Sequence, residues 1–337
     1  MKTHQFDRFG LDRLRIVDAA DPAPGPRDVL VRWHAWSLNY RDLILVEGTY
    51  LPDLPLPFTP LSDAAGEVIA VGAAVTAWRP GDRVISHYLT GWEDGAPAPE
   101  KLAASLAGPL PGLLAERSLL PEHALVPLPA HLDYAEGATL PIAALTAWHA
   151  LFEFAPLRPG QTVLLEGTGG VSLFGLQLAR AAGLRTIVTS GSDAKLARAR
   201  ALGADATINH RTTPAWGAEA LRLTGGAGAD LVLDVGGAET LPEAVRASAT
   251  GGRIALIGFL GGRDAALGIL EWTRRLVTIH GLRVGSRAMF RSLLRTMTQH
   301  ALHPVIDRAF AFEDAPAAFR LLQTGGHFGK IVIRRET

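Results

Sequence analysis

The sequence predicts an α/β protein with a front part of short β runs and a later doubly wound parallel sheet. Three observations predict it. Up to about Pro129 the apolar runs are short and broken by proline and glycine turns. From near Tyr134, short apolar strands alternate with helical spacing at a regular interval. One of those strand–helix junctions carries a cluster of glycines. Alternating strands and helices at this interval imply right-handed crossovers and parallel pairing.

In the front part, residues 28–33 read as a strand, and residues 65–72 as another that ends at a glycine. Pro80-Gly81-Asp82 is a turn feeding the strand that starts at Arg83: proline presets one turn dihedral and glycine tolerates the next. Residues 90–111 are rich in glycine, proline and alanine and read as an extended loop. After a helix-like stretch from Tyr134, residues 162–166 form a short strand. Gly167-Thr168-Gly169-Gly170 follows, and then Val171, Phe174 and Leu178 at the spacing of one helix face. Residues 185–189 are the next strand, and a helix over about 193–202 is stopped by Gly203. Further strands lie around residues 206–208, 231–235 and 254–257. Residues 329–334 look like a final strand, whose sheet periodicity does not name.

Composition narrows the function classes. The 337 residues carry 33 basic and 33 acidic side chains, a balance that argues against nucleic-acid or membrane-surface binding. The start is charged and lacks an apolar signal core, and no apolar run approaches the length that spans a bilayer, so a soluble, cytoplasmic protein is expected. Cysteine is absent, which removes disulfides, thiol nucleophiles and thiolate metal sites.

The glycine turn sits where a dinucleotide fingerprint belongs, between a strand and a helix. Glycine lets the backbone approach a pyrophosphate, and the helix start offers free N–H groups and partial positive charge. The third fingerprint position is Ser172 rather than glycine. At the tip of the second strand, where an NAD site places a carboxylate for the ribose, this chain has Thr189-Ser190-Gly191-Ser192. Lys195 and Arg198 follow on the helix. Hydroxyls plus a cation suit a 2′-phosphate, so NADP(H) is expected; Asp193 is the alternative, a ribose ligand for NAD.

Taken together, the motifs resemble the medium-chain dehydrogenase/reductase superfamily, in its zinc-free branch near the quinone oxidoreductases and zinc-independent alcohol-dehydrogenase-like proteins. The residues that carry the likeness include Ser37-Leu38-Asn39-Tyr40-Arg41-Asp42, Ala65-Gly66-Glu67-Val68, Pro80-Gly81-Asp82-Arg83-Val84 and Ala138-Thr139-Leu140-Pro141. They continue with Leu145-Thr146-Ala147-Trp148, Gly167-Thr168-Gly169-Gly170-Val171-Ser172, Leu202-Gly203-Ala204-Asp205 and His327-Phe328-Gly329-Lys330. Their order covers almost the whole chain. The resemblance implies a GroES-like β domain from residues 1–129 and 300–337, a Rossmann domain from residues 130–299, an active cleft between the two, and a homodimer through the strand near 277–281.

The resemblance also implies site residues. Where zinc-dependent relatives place a metal-binding cysteine and a Gly-His-Glu segment, this sequence reads Asn39-Tyr40 and Leu61-Ser62-Asp63, and no metal is expected. His34, His87, His123 and His149 show no ligand spacing. Hydrogen-bond donors must then polarise the substrate oxygen as hydride arrives. Asn39 and Tyr50 are the candidates, with Asp42 as an orienting group and Asp63 as a proton relay; Tyr40 is the rival donor. Expected cofactor contacts are Thr146 at the nicotinamide, Gly169, Gly170 and Val171 at the pyrophosphate, and Ser190, Ser192 and Lys195 at the 2′-phosphate. His210, Gly236, Gly258, Phe259, Ser286, Phe328 and Lys330 complete the expected set. The expected reaction transfers hydride between NADP(H) and a carbonyl, quinone or enone substrate. The alternatives are an alcohol dehydrogenase acting on simple alcohols and aldehydes, and a non-catalytic NADPH-binding protein.

Overall fold

The structure is a computed structural model that describes residues 1–335. The chain folds as two compact units, Met1–Leu145 with the chain from Val284 onward, and Thr146–Arg283.

The first unit is built on β strands. In chain order these are β1 (Lys2–Gln5), β2 (Arg15–Asp18), β3 (Asp28–Ser37), β4 (Asp63–Val71), β5 (Arg83–Ser86), β6 (Arg117–Pro121) and β7 (Leu125–Pro127). The second unit holds β8 (Thr162–Leu165), β9 (Arg185–Ser190), β10 (Ala206–Asn209), β11 (Ala229–Asp234), β12 (Ser248–Leu256) and β13 (Thr278–Gly281). The chain then returns to the first unit with β14 (Ile306–Ala311) and β15 (Lys330–Arg334).

β3 shows why the first unit forms a sheet. Val29, Val31, Trp33 and Ala35 alternate along it and are buried, while the intervening residues are half-exposed, the period-two pattern of a strand with one face on a core. The main sheet runs β14-β15-β3-β4-β5-β7, with β6 also against β3. Both ends of the chain meet here: β15 lies antiparallel to the end of β3 with Val332 opposite Ser37. On the other edge of β3, Ser37 stands opposite Asp63, the first residue of β4. β14 and β15 are parallel, joined by the helix Ala315–Thr324, which Gly325 ends at a φ of 63°. The final strand therefore joins the sheet of the front part. The stretch 90–111, expected as an extended loop, contains the short helix Pro99–Ala103 and buries Thr90 and Ser105.

The second unit is the parallel sheet that the strand–helix alternation predicts. Its order is β10-β9-β8-β11-β12-β13, and every neighbouring pair is parallel. This is the doubly wound order, in which the winding direction reverses between β8 and β11. Strands covered on both faces are largely apolar, and all four residues of β8 are buried. Leu164, Val232 and Ile254 pack with Trp216, Leu241 and Val245 in one core layer. Among the described residues no helix is long and apolar enough to cross a membrane.

Candidate functional site

In the first unit, strand register assembles a buried polar cluster. Because Val332 faces Ser37 in an antiparallel pair, two further steps outward bring Lys330 opposite Asn39. Asp63 lies on the other side of the same strand end. The Lys330 ammonium donates to Leu38 O at 2.5 Å and to Asn39 Oδ1 at 2.7 Å. An ammonium has donors only, so the amide oxygen of Asn39 must face it. That leaves the Asn39 Nδ2 protons buried and without a partner of good hydrogen-bond geometry, although the amide lies near enough to Asp63 to favour its ionised form.

The carboxylates are equally committed. Asp63 is fully buried; its Oδ1 accepts from Ser62 Oγ at 2.8 Å and its Oδ2 from Ile142 N at 3.1 Å. Asp42 is fully buried too; its Oδ2 accepts from Asn39 N at 2.8 Å and its Oδ1 from Arg41 Nη1 at 3.2 Å. The Arg41 guanidinium lies 5.0 Å from the Tyr88 ring centre and 5.4 Å from that of Tyr50. Two acids thus stand with two bases, as buried charge requires. Burial raises the pKa of Asp42 to about 6 against the pull of Arg41, and raises that of Asp63 against the pull of Lys330. Burial lowers Lys330 to about 8, with Asp63 and Asp42 opposing. The cluster brings together Asn39, Asp42 and Asp63, and Arg41 links it to Tyr50. Asn39 is extended, and Tyr40 opens the helix Tyr40–Val46 with 39% of its surface exposed, so Asn39 is the residue turned inward.

Lys330, expected among the cofactor contacts, sits in this cluster with its ammonium engaged. Ser286, also expected there, caps the helix Arg287–Gln299, its hydroxyl accepting from Met289 N at 3.2 Å. Phe328 is buried in the first unit.

In the second unit, β8 runs into the glycine turn and then the helix Gly170–Ala181. Gly167 takes a φ of 72°, which favours glycine. A Cβ at Gly169 would meet nothing within 4 Å, so the backbone there is open to a ligand. Ser172 Oγ donates to Glu166 O and ties the turn to the strand end. The close approach of helix to strand comes three residues later, at Gly175, where a Cβ would lie 2.8 Å from Leu165 Cδ2. The third glycine function is therefore displaced along the helix, a position the fingerprint does not examine. Val171 is half-buried at the helix start.

At the tip of β9, Ser192 Oγ accepts from Lys195 N at 3.4 Å as a helix cap, and Ser190 Oγ accepts from Ser192 N at 3.3 Å. Asp193 Oδ1 accepts from Asn209 Nδ2 at 2.8 Å. A Cβ on Gly191 would meet Arg211 Nε at 2.7 Å, so the Arg211 side chain covers this tip. Sequence reasoning missed Arg211; its signal was only its place just past β10, beside the tip of the neighbouring strand. His210 donates its backbone N–H to Ser190 O at 3.2 Å, and burial lowers the pKa of its ring. At the ends of β11 and β12, a Cβ on Gly258 would lie 2.3 Å from Val235 O. Gly258 and Phe259 line a cavity of about 300 Å³ with Gly237, Leu241, Ile257 and Arg263. Gly236 lies nearby in sequence on the β11 turn, and Thr146 is buried.

Residues 25–130 match the alcohol dehydrogenase GroES-like domain, and residues 170–299 match the zinc-binding dehydrogenase family. A zinc-type alcohol dehydrogenase-like protein of Schizosaccharomyces pombe is 40% identical over 332 residues, 96% of each chain. The chain belongs to the medium-chain dehydrogenase/reductase family. It is an oxidoreductase of the GroES-like plus Rossmann architecture. Rat quinone oxidoreductase is 29% identical over 337 residues, 97% of this chain and 95% of that one. Among solved structures, a putative alcohol dehydrogenase from Sinorhizobium meliloti is 42% identical with a TM-score of 0.93, covering 99% of this chain and 98% of that one. An NAD-dependent alcohol dehydrogenase is 36% identical with a TM-score of 0.92 over the whole of both chains. A mycobacterial protein complexed with NADPH is 26% identical with a TM-score of 0.83 over 99% of each chain.

Proposed function

We propose that this oxidoreductase is an NADPH-dependent reductase of quinones, enones or related conjugated carbonyls, working without a metal ion. The observation that carries the reading is the fixed amide of Asn39. Lys330 holds its oxygen and Asp63 lies beside its N–H₂ end, so the amide is fixed in one orientation, the one in which its N–H groups would meet oxygen charge that develops on a substrate. Tyr50, beside Arg41, is the second donor, and Asp42 and Asp63 hold the cluster's charge balance. The donor set does not fit the zinc of the zinc-type relatives. It offers an amide, a hydroxyl and one carboxylate already engaged, with an ammonium bonded among them.

The second unit supplies the dinucleotide seat, and its residues fit that group. The open backbone at Gly169 and the helix start at Gly170 suit the pyrophosphate. Ser190, Ser192, Lys195 and Arg211 suit a 2′-phosphate, and the bond from Asn209 to Asp193 draws that carboxylate away from a ribose role. Bound NADPH would supply the hydride. By likeness to the family, two copies would pair through β13, the outer strand of the sheet.

The alcohol-dehydrogenase names among the relatives favour a second reading, reduction of plain aldehydes. Following NADPH oxidation with a quinone, an enal and a saturated aldehyde decides between them. The proposal expects turnover with the quinone or the enal. Turnover confined to the saturated aldehyde would make it an alcohol dehydrogenase, and cofactor binding without any turnover would make it a binding protein.

A further inference from the structure

We propose that Glu166 and Asp234 hold one proton between them, and that this carboxyl pair is a positioning device for the two glycine turns that receive the dinucleotide. The inference rests on the dinucleotide reading above. Glu166 directly follows β8 and Asp234 ends β11, the neighbouring strands between which the sheet order reverses. Gly167-Thr168-Gly169-Gly170 starts at the first carboxyl and Val235-Gly236-Gly237 at the second.

Each carboxyl spends one oxygen on the other turn's or its own backbone. Glu166 Oε2 accepts from Val235 N and from Gly236 N, both at 3.2 Å, and so reaches across from β8 to the β11 turn. Asp234 Oδ1 accepts from Gly237 N at 2.7 Å and from Thr240 Oγ1 at 3.0 Å. The two remaining oxygens, Glu166 Oε1 and Asp234 Oδ2, are buried and have no donor of hydrogen-bond geometry among the described residues. Both residues are buried, at 3% and 0% exposure. An unsatisfied buried carboxylate oxygen is costly, and two in one pocket more so. One proton on Glu166, donated to Asp234, satisfies both.

Among the described residues, Thr240 is the hydroxyl that the neighbouring elements bring to the pair. Ser172, from the helix Gly170–Ala181, bonds the Glu166 carbonyl rather than its carboxyl. Thr189 of β9 takes the N–H of Gly167, and Thr240, just before the helix Leu241–Ala247, gives its hydroxyl to Asp234 Oδ1 and lies near enough to Glu166 to favour its charge. No cation is among the leading influences on either carboxyl. Burial pushes both acids up, the charge of Asp234 pushes Glu166 further, and the hydrogen bond from Glu166 favours the charge on Asp234, which places the proton on Glu166. With the proton present, the strand ends are cross-linked by hydrogen bonds. Its loss at higher pH leaves two buried negative charges that repel one another, part the turns and oppose an incoming pyrophosphate.

The test compares the full chain with Glu166→Gln. The glutamine oxygen can accept from Val235 and Gly236, and its N–H₂ can donate to Asp234, so the pair keeps one negative charge and has no proton to lose. NADPH affinity is measured by calorimetry across pH, and the carbonyl stretch of a protonated carboxylic acid is sought by infrared spectroscopy at neutral pH without cofactor. The wild type is expected to lose affinity by about tenfold per pH unit above the titration of the pair, whereas Glu166→Gln stays flat. The infrared band is expected in the wild type and diminished in the variant. Superimposable pH profiles, or an unchanged band, would overturn the proposal. If Glu166→Gln fails to fold, Asp234→Asn makes the same replacement from the other side. If the wild type binds no dinucleotide at any pH, the positioning role falls together with the cofactor reading, and the infrared band still decides whether the proton is shared.

Discussion

Lys330 does the work of orientation in the first unit. It fixes which end of the Asn39 amide faces inward, and it supplies the positive charge that Asp63 needs while buried. These are separable roles with separate tests. Asn39→Ala removes the proposed oxyanion donor, so kcat/KM is expected to fall about 10²–10³-fold. NADPH affinity, measured by titration, should be unchanged, because Asn39 is proposed to meet the substrate oxygen rather than the dinucleotide. Lys330→Met removes one partner of a buried charge cluster and should cost about 3–5 kcal/mol in urea unfolding at neutral pH. Its pH dependence follows from Asp63, whose pKa burial raises and which would lose its cation. A raised acid penalises the fold above its folded-state pKa and not below its unfolded value. The gap between variant and wild type should therefore narrow as pH falls. A gap that is constant with pH would mean that lost packing, not charge, accounts for the cost.

At the scale of elements, glycines mark where backbones touch, and the partner atom sets the cost of filling the space. A Cβ at Gly66 in β4 would lie 2.1 Å from the carbonyl oxygen of Arg32 in β3, and neither strand can yield without shifting the sheet. A Cβ at Gly175 would meet the far end of the Leu165 side chain at 2.8 Å, which can rotate away. Gly66→Ala should thus destabilise by about 3 kcal/mol and Gly175→Ala by about 1 kcal/mol, compared by thermal unfolding. Equal costs would contradict this reading of the two contacts. The same physics explains what the sequence reveals. The strands of the parallel sheet were legible because residues buried on both faces form short apolar runs between helical spacings. β14 was not, because four of its six residues are half-exposed and two fully so, leaving no alternation to read. The helix Pro99–Ala103 is too short to show a period. The glycine turn was legible as a local pattern. The bond from Lys330 to Asn39 spans 291 positions in sequence and follows from strand register alone, so no local pattern shows it. Arg211 escaped for a similar reason: only the pairing of β10 with β9 brings it beside Gly191.

At the scale of the whole molecule, each unit carries a part of the proposed chemistry. The first holds a buried, charge-balanced cluster that fixes the Asn39 amide, and the second holds a doubly wound sheet whose switch point ends in glycine turns. The proposed reduction needs a bound dinucleotide, and the strand-tip residues argue for the phosphorylated one. The most direct measurement is a calorimetric titration of the full chain with NADPH and with NADH, repeated on Lys195→Ala and Arg211→Ala. The account predicts that NADPH binds more tightly by about tenfold or more, the worth of charge-assisted bonds to the 2′-phosphate, and that the substitutions close that gap while leaving NADH binding unchanged. Equal affinity for the two cofactors, a preference for NADH, or no binding of either would contradict it.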